Sequence, residues 1–241
     1  MSRYFCLDHP DALTLATEVT DARPGQVLLA ASPFYPGGGG QLPDRGTLAW
    51  DGGEVAIAGF ENEGGRIWHL LAEPFELPPV SVEARVDGPF RHLMRALHTD
   101  LHIVNAVVFR DFDGALVTGV QMNEDGTARI DFDLPDADNE RLRAIEETVN
   151  ALIRQDLAVH ANHISEAAAF AEPGLIRSRS VAPPPTSDGQ VRIVEIAGLD
   201  RQACGGTHLA STGASPPIRI LKIDNKGRHN RRLRIGLADS V

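Results

Sequence analysis

Two short stretches, His98-Thr99-Asp100-Leu101-His102 and, far downstream, Cys204-Gly205-Gly206-Thr207-His208, constrain this chain more than anything else in it. Histidines at i and i+4 of a helix share one face, about 6 Å apart, so two imidazoles can converge on one ion. Cys204 and His208 repeat the four-residue offset and add a thiolate and a third imidazole. Three nitrogens and one sulfur form a tetrahedral donor set suited to zinc, an ion of borderline softness with no redox chemistry. The spacing therefore predicts one shared metal site built from His98, His102, Cys204 and His208.

The first half-site is not that of a zinc protease. His-Glu-x-x-His needs a glutamate between the ligands as general base, and Thr99 stands there instead. Four protein ligands would saturate a tetrahedral ion and mark a structural or orienting site, whereas a catalytic site keeps one position open. The sequence leaves both roles open and names no general base; Asp100 and Asp131 are the nearby carboxylates.

With 241 residues the chain is long enough for one large domain or two small ones. No apolar run approaches the roughly 20 residues that span a bilayer, and the first ten residues carry acid and proline where a signal peptide needs an apolar core. Cys6 and Cys204 are the two cysteines, so with Cys204 a metal ligand no disulfide remains, and a cytoplasmic location is expected. A net charge of −10 argues against a protein that coats nucleic acid. Between Lys222 and Arg234, however, six bases face one acid, Asp224, so this stretch is +5 and the remainder −15. Such a patch can grip a phosphate backbone locally; the plainer reading is a solvated, salt-bridged hairpin.

The fold class expected is α+β: a small β-barrel over residues 1–88, then a second domain over 89–241. Short runs at 27–30, 54–58 and 80–86, separated by glycine turns, read as barrel strands. Within them lies Pro33-Phe34-Tyr35-Pro36-Gly37-Gly38-Gly39-Gly40-Gln41-Leu42-Pro43-Asp44-Arg45-Gly46. Four successive glycines cost entropy unless the backbone needs positive φ or a close approach, and their N–H groups can cradle an anion. Asp87-Gly88-Pro89 starts a helix, with Leu93, Leu97, Leu101, Val104 and Val108 as its core stripe and Met94, His98, His102 and Asn105 beside it. Two strands at 115–122 and 128–134 follow, then a helix capped by Asp138, a short helix at 167–175, a loop at 181–189, a strand at 190–197 and a closing hairpin at 218–223 and 232–237.

The His98-Thr99-x-x-His102 and Cys204-Gly205-Gly206-Thr207-His208 pair resembles the editing domain of alanyl-tRNA synthetase and its free-standing relatives, the AlaX-type trans-editing proteins. The glycine motif, the Arg129-Ile130-Asp131-Phe132 strand and Asn225-Lys226-Gly227-Arg228 with Asn230-Arg231-Arg232 are similar to the same family, so the likeness runs over nearly the whole chain. The glycine motif is that of the medium-length AlaX proteins, which keep a small β-barrel ahead of the editing domain. Where the family often continues His-Leu-Leu, this chain has His102-Ile103-Val104, a conservative change.

The resemblance implies an α/β editing domain of the threonyl/alanyl-tRNA synthetase second-additional-domain type, with Zn2+ as cofactor. It implies hydrolysis of tRNA(Ala) mischarged with serine or glycine. A pocket shaped for alanine cannot strongly exclude glycine, and a hydroxyl adds only on the order of 1–3 kcal/mol of discrimination. A second site must then accept serine by bonding its hydroxyl. Thr118 and Gln121 are the candidate catalytic-site residues for that contact, in Thr118-Gly119-Val120-Gln121, where the synthetase-borne version tends to carry a Gly-Ser pair. Gly37, Gly38, Gly39, Gly40 and Gln41, with Lys226, Arg228, Arg231 and Arg232, are the candidate tRNA contacts. Two alternatives stay open: a zinc-stabilised module that binds tRNA or a synthetase without hydrolysis, and a hydrolase of small esters.

Overall fold

A computed structural model describes residues 4–73, 80–135, 138–172, 174, 175, 177 and 188–238. Most of the loop expected at 181–189 lies outside them. The chain parts into two compact units, residues 1–38 with 42–92, and residues 39–41 with 93–241.

The first unit is a closed antiparallel barrel. After a single helical turn, α1 (Phe5–Asp8), its strands are β1 (Thr14–Arg23), β2 (Gln26–Leu29), β3 (Gly46–Trp50), β4 (Gly53–Glu63), β5 (Arg66–Leu71) and β6 (Ser81–Val86). They close in the order β1-β2-β5-β4-β3-β6, which leaves no free strand edge to template aggregation. Alternate residues point inward, and Val27, Phe34, Leu48, Val55, Ile57, Leu71, Val82 and Ala84 fill the interior. A cleft of about 460 Å³ opens on this barrel, lined in part by Tyr4, His9, Ser32, Arg66 and His69.

The second unit is built around α2 (Gly88–Asp111). Asp87 accepts the Phe90 N–H at 3.1 Å and so starts the helix, as expected. The expected two-stripe helix is buried further than the pattern suggested: from Ala96 to Val108 every residue is buried. Its polar members are therefore sealed in and must be satisfied internally. Asn105 donates to Gln202 at 3.1 Å, and Asp100 accepts from the Ser215 hydroxyl at 2.8 Å.

Around it stand a four-stranded antiparallel sheet, ordered β12 (Ile218–Lys226), β13 (Asn230–Leu237), β8 (Thr127–Asp133), β7 (Val117–Met122), and a three-stranded one, ordered β11 (Asp200–Ala203), β10 (Gln190–Ile196), β9 (Val159–Ser165). Helix α3 (Asn139–Arg154) begins at Asp138, whose carboxylate accepts the Glu140 N–H. It buries Leu142, Ile145, Val149 and Ile153, and it also caps the outer edge of β12. There Asn150 bonds both the N–H and the C=O of Ile218, and Glu146 accepts the Ile220 N–H. The expected short helix is α4 (Glu166–Ala171). No helix among the described residues is long and apolar enough to cross a membrane.

Candidate metal centre

His98, His102, Cys204 and His208 come together, all buried, with one ligating atom from each lying within 4.8 Å of every other. The Cys204 sulfur sits 3.4 Å from His98 Nε2 and 3.3 Å from His208 Nε2. The i,i+4 geometry of α2 supplies His98 and His102. A tight loop after β11 supplies the other two, and Gly206 is obligatory in it: a Cβ there would lie 2.1 Å from the His98 ring.

Two of the imidazoles are hydrogen-bonded at their other nitrogen, and the third faces a carboxylate. His98 Nδ1 meets the Gln41 side-chain oxygen at 2.8 Å, His208 Nδ1 meets the Thr99 hydroxyl at 3.3 Å, and His102 Nδ1 faces an Asp200 carboxylate oxygen at 3.3 Å. Carboxylate, hydroxyl and amide partners on the far side of the ring are the arrangement that orients metal-ligating histidines. The loop is clamped from outside the ring of ligands as well. Arg192 donates to the carbonyls of Cys204 and Gly206 at 3.0 and 2.9 Å, Arg95 donates to that of His208, and Thr99 accepts the Leu209 N–H at 3.1 Å.

The electrostatics favour a cation. Burial alone would raise the Cys204 thiol, but the surrounding imidazoles, His98 foremost, hold it well below its ordinary value. Burial, with the neighbouring His98 ring, likewise keeps His208 well below the usual histidine value. Burial would lower His102 too, yet the Cys204 and Asp200 negative charges lift it to about 9. Thiolate and neutral imidazole are the ligating forms: Cys204 and His208 are shifted toward them, and His102 gives up its proton when an ion takes its place beside the thiolate. The donor set and its outer partners thus fit a tetrahedral metal ion.

Of the other expected site residues, Gln41 reaches the cluster and the rest are spread more widely. Gly37, Gly38, Gly39 and Gly40 all take positive φ, from 60° to 130°. Gly40 docks on the edge of β7, accepting the Met122 N–H at 2.8 Å, and a Cβ on it would lie 2.5 Å from the Val120 carbonyl oxygen. Gln41 is buried at the metal cluster. Thr118 is half-buried at a bulge of β7 and bonds Asn230 at 3.3 Å. Gln121 is exposed, and its amide bonds Asn123 and Arg129. Among the described residues neither hydrogen-bonds a member of the cluster. Lys226 and Arg228 stand exposed at the β12–β13 turn. Arg231 is buried, its guanidinium bonding the Asn230 carbonyl, and Arg232 grips Asp131 with two bonds of 2.7 Å. Asp131 is thereby occupied, and burial pushes the Asp100 carboxyl well above the usual carboxylate range despite its Ser215 bond.

Asp200 is the site residue that the sequence reading passed over. It serves His102, Arg177 (2.8 Å) and Gln202 (2.6 Å) at once. Its only sequence signal is an acid four positions ahead of Cys204, and with no strand recognised there it had no face to be assigned to.

Similarity to known proteins agrees with this centre. Residues 191–234, which carry the second half-site, match the family described as Threonyl and Alanyl tRNA synthetase second additional domain. The alanyl-tRNA editing protein AlaX-M of Methanosarcina acetivorans is 32% identical over 93% of this chain and 93% of its own length. The chain belongs to the AlaX-M family of alanyl-tRNA editing proteins. The AlaX-M protein of Saccharolobus solfataricus is 33% identical over 86% of each chain. The alanine–tRNA ligase of Korarchaeum cryptofilum is 34% identical over 81% of this chain but only 22% of its own length. The AlaX-M match therefore runs through barrel and metal cluster alike, and the ligase match takes in one part of a much longer enzyme.

Proposed function

We propose that this chain is a trans-editing aminoacyl-tRNA deacylase acting on tRNA(Ala) mischarged with serine or glycine, with zinc held by His98, His102, Cys204 and His208. The observation that carries the reading is the buried cluster itself, three imidazoles and a thiolate, with Gln41, Thr99 and Asp200 behind the imidazoles, in a chain of the AlaX-M family. The reaction is hydrolysis. A water oxygen adds to the ester carbonyl carbon, the bond to the terminal ribose oxygen breaks, and the free amino acid and uncharged tRNA leave. Zinc, when bound by these four residues, would supply a fixed positive charge that orients the terminal adenosine and amino group or, with a position open, would activate the water.

The protein's own residues bind and orient. The outer partners Gln41, Thr99 and Asp200 keep the ligand rings from turning, so the site needs little reorganisation when substrate arrives. Thr118 is the residue assigned to read the serine hydroxyl, because it is half-buried on the strand whose edge Gly40 occupies, whereas the Gln121 amide is solvent-facing. A hydroxyl-bonding group that alanine leaves unpaired is the physical basis for sparing the correct product. Lys226 and Arg228 are the cations free to meet phosphate, alongside the glycine loop. A reducing, cytoplasmic setting suits a Cys204 that must remain a thiolate.

The test is deacylation of Ser-tRNA(Ala), Gly-tRNA(Ala) and Ala-tRNA(Ala) by the purified protein beside a His98→Ala, Cys204→Ala double variant. The reading requires cleavage of one or both mischarged species, sparing of Ala-tRNA(Ala), and loss of activity in the variant. Folded, zinc-loaded protein that cleaves none of the three would sink it.

A further inference from the structure

The glycine motif ends in a residue whose side chain reaches a metal ligand. Gln41 is buried, and its side-chain amide makes three hydrogen bonds. Its oxygen lies 3.1 Å from the Thr207 backbone nitrogen and 2.8 Å from His98 Nδ1, and its nitrogen lies 2.8 Å from the Thr207 hydroxyl. Amide orientation and histidine tautomer are ordinarily matters of assignment, but here the chain's chemistry fixes both. A backbone N–H can only donate, so the Gln41 atom facing Thr207 N must be the oxygen. That same oxygen then needs a donor from His98, so His98 Nδ1 carries the proton. Its Nε2, the nitrogen 3.4 Å from the Cys204 sulfur, is left with a free lone pair.

From this network we propose that Gln41 is the positioning residue that locks His98 in the Nδ1–H tautomer and ties the Cys204–His208 loop to the same ring, so that the glycine motif sets the ligating face of the metal centre. The glycines serve that placement. Gly40 can sit on β7 only without a side chain, and its carbonyl accepts the Met122 N–H, which delivers the next residue, Gln41, to His98. The empty space over Gly206 is also filled from this side: a Cβ there would meet the Gln41 oxygen at 2.8 Å as well as the His98 ring. Gln41 touches no reacting atom in this account; it acts through His98 and Thr207.

The inference rests on the reading of the four residues as metal ligands, and the experiment separates the two. Zinc affinity is measured by competition with a chromophoric chelator for wild type, Gln41→Leu and Gln41→Glu, with the cobalt-substituted absorption spectrum recorded for each. Gln41→Leu, similar in size but without hydrogen bonds, is expected to bind zinc about 10- to 100-fold more weakly and to show an altered cobalt spectrum. Gln41→Glu keeps an acceptor for both donors and is expected to restore most of the affinity. Long-range proton–nitrogen NMR of the histidine rings in zinc-loaded wild type, which needs no variant to fold, should place the His98 proton on Nδ1. Unchanged affinity and spectrum in Gln41→Leu, or a His98 proton on Nε2, overturns the role of Gln41 while leaving the metal centre standing. Wild-type protein that binds no zinc overturns the metal reading and this inference with it.

Discussion

Asp44 and Arg91 are sealed from solvent and grip one another through both carboxylate oxygens, with Arg91 Nε at 2.9 and 3.0 Å and one terminal nitrogen closer still. The pair is fully satisfied: Asp44 also accepts the Tyr35 N–H at 2.6 Å, and Arg91 also donates to the carbonyls of Pro10 and Pro33. It thus fastens both arms of the glycine motif to the first turn of α2. Breaking one side of a buried pair leaves an uncompensated charge, at a cost of about 3–5 kcal/mol. Asp44→Asn should lose stability on that scale in urea unfolding. A double-mutant cycle with Arg91→Met should give a double variant less damaged than the two singles summed; strict additivity would rule out the coupling.

Asp200 is expected to set metal affinity through His102. A carboxylate behind an imidazole raises its basicity as a ligand, and Arg177 and Gln202 hold that carboxylate in place. Asp200→Asn keeps the shape and removes the charge. Zinc binding should weaken about 10- to 100-fold, and loss of the buried Arg177 ion pair should lower the melting point in chelator as well. Equal affinity in the two proteins would contradict the assignment.

Two glycine-to-alanine changes should differ sharply. In Gly206→Ala the new methyl group would occupy the His98 ring and the Gln41 oxygen, and neither can yield without opening the cluster. Zinc should be lost, as read by metal analysis of the dialysed protein. In Gly39→Ala nothing lies within 4 Å of the new Cβ, and the cost is the positive φ of 60° alone, roughly 1 kcal/mol. That protein should retain its zinc. If both variants kept the metal, the packing of the loop against His98 would be wrong.

The metal centre was legible because ligands announce themselves by residue type and spacing. The helix, the central hairpin and the closing strands followed from apolar period, as with Ile218-Arg219-Ile220 on β12. What the period could not show was β9, Val159-His160-Ala161-Asn162-His163-Ile164-Ser165, whose side chains are mostly exposed or half-buried and carry no apolar alternation. It forms because its backbone pairs with β10 along seven residues. β11, four residues with a buried Asp200 and Gln202, escaped for the converse reason: its inward positions are polar. Gln41 follows the glycines and reads with them as a nucleic-acid contact; the folded chain turns its side chain inward to His98.

The basic stretch should divide by function. Arg232 is spent on Asp131, and Lys222 and Arg234 share Asp224 at 2.7 and 3.7 Å, so these charges are internally paired. Lys226 and Arg228 are exposed at the turn. Lys226→Gln and Arg228→Gln are each expected to weaken tRNA binding and to lower the slope of log affinity against log salt by about 1. Arg232→Gln should leave the slope alone and cost about 2 kcal/mol of stability, as loss of a charged hydrogen-bond pair does. A reversed pattern, with slope following Arg232, would place the tRNA on the sheet face instead of the turn.

His69 makes the barrel sensitive to acid. Its ring is 1% exposed, its Nε2 lies 2.7 Å from the Ser32 hydroxyl, and burial lowers its pKa from the ordinary 6.5 to about 4. Above pH 6.5 the ring is neutral in folded and unfolded chain alike, and it exerts no pH effect. Between 6.5 and 4 the unfolded chain binds the proton and the folded one does not, so stability must fall as pH falls. Below about 4 the folded ring is protonated too and the loss levels off, at about 3 kcal/mol in total. Urea unfolding from pH 7 to 4 should show this slope, followed through a signal of the barrel such as the fluorescence of Trp68, which pairs with Leu28 across β2 and β5. His69→Gln retains an amide to meet Ser32 and cannot titrate, so its stability should change less over the same range. If wild type and variant lost stability in parallel, the acid sensitivity would belong to other groups and His69 would be only a packed ring.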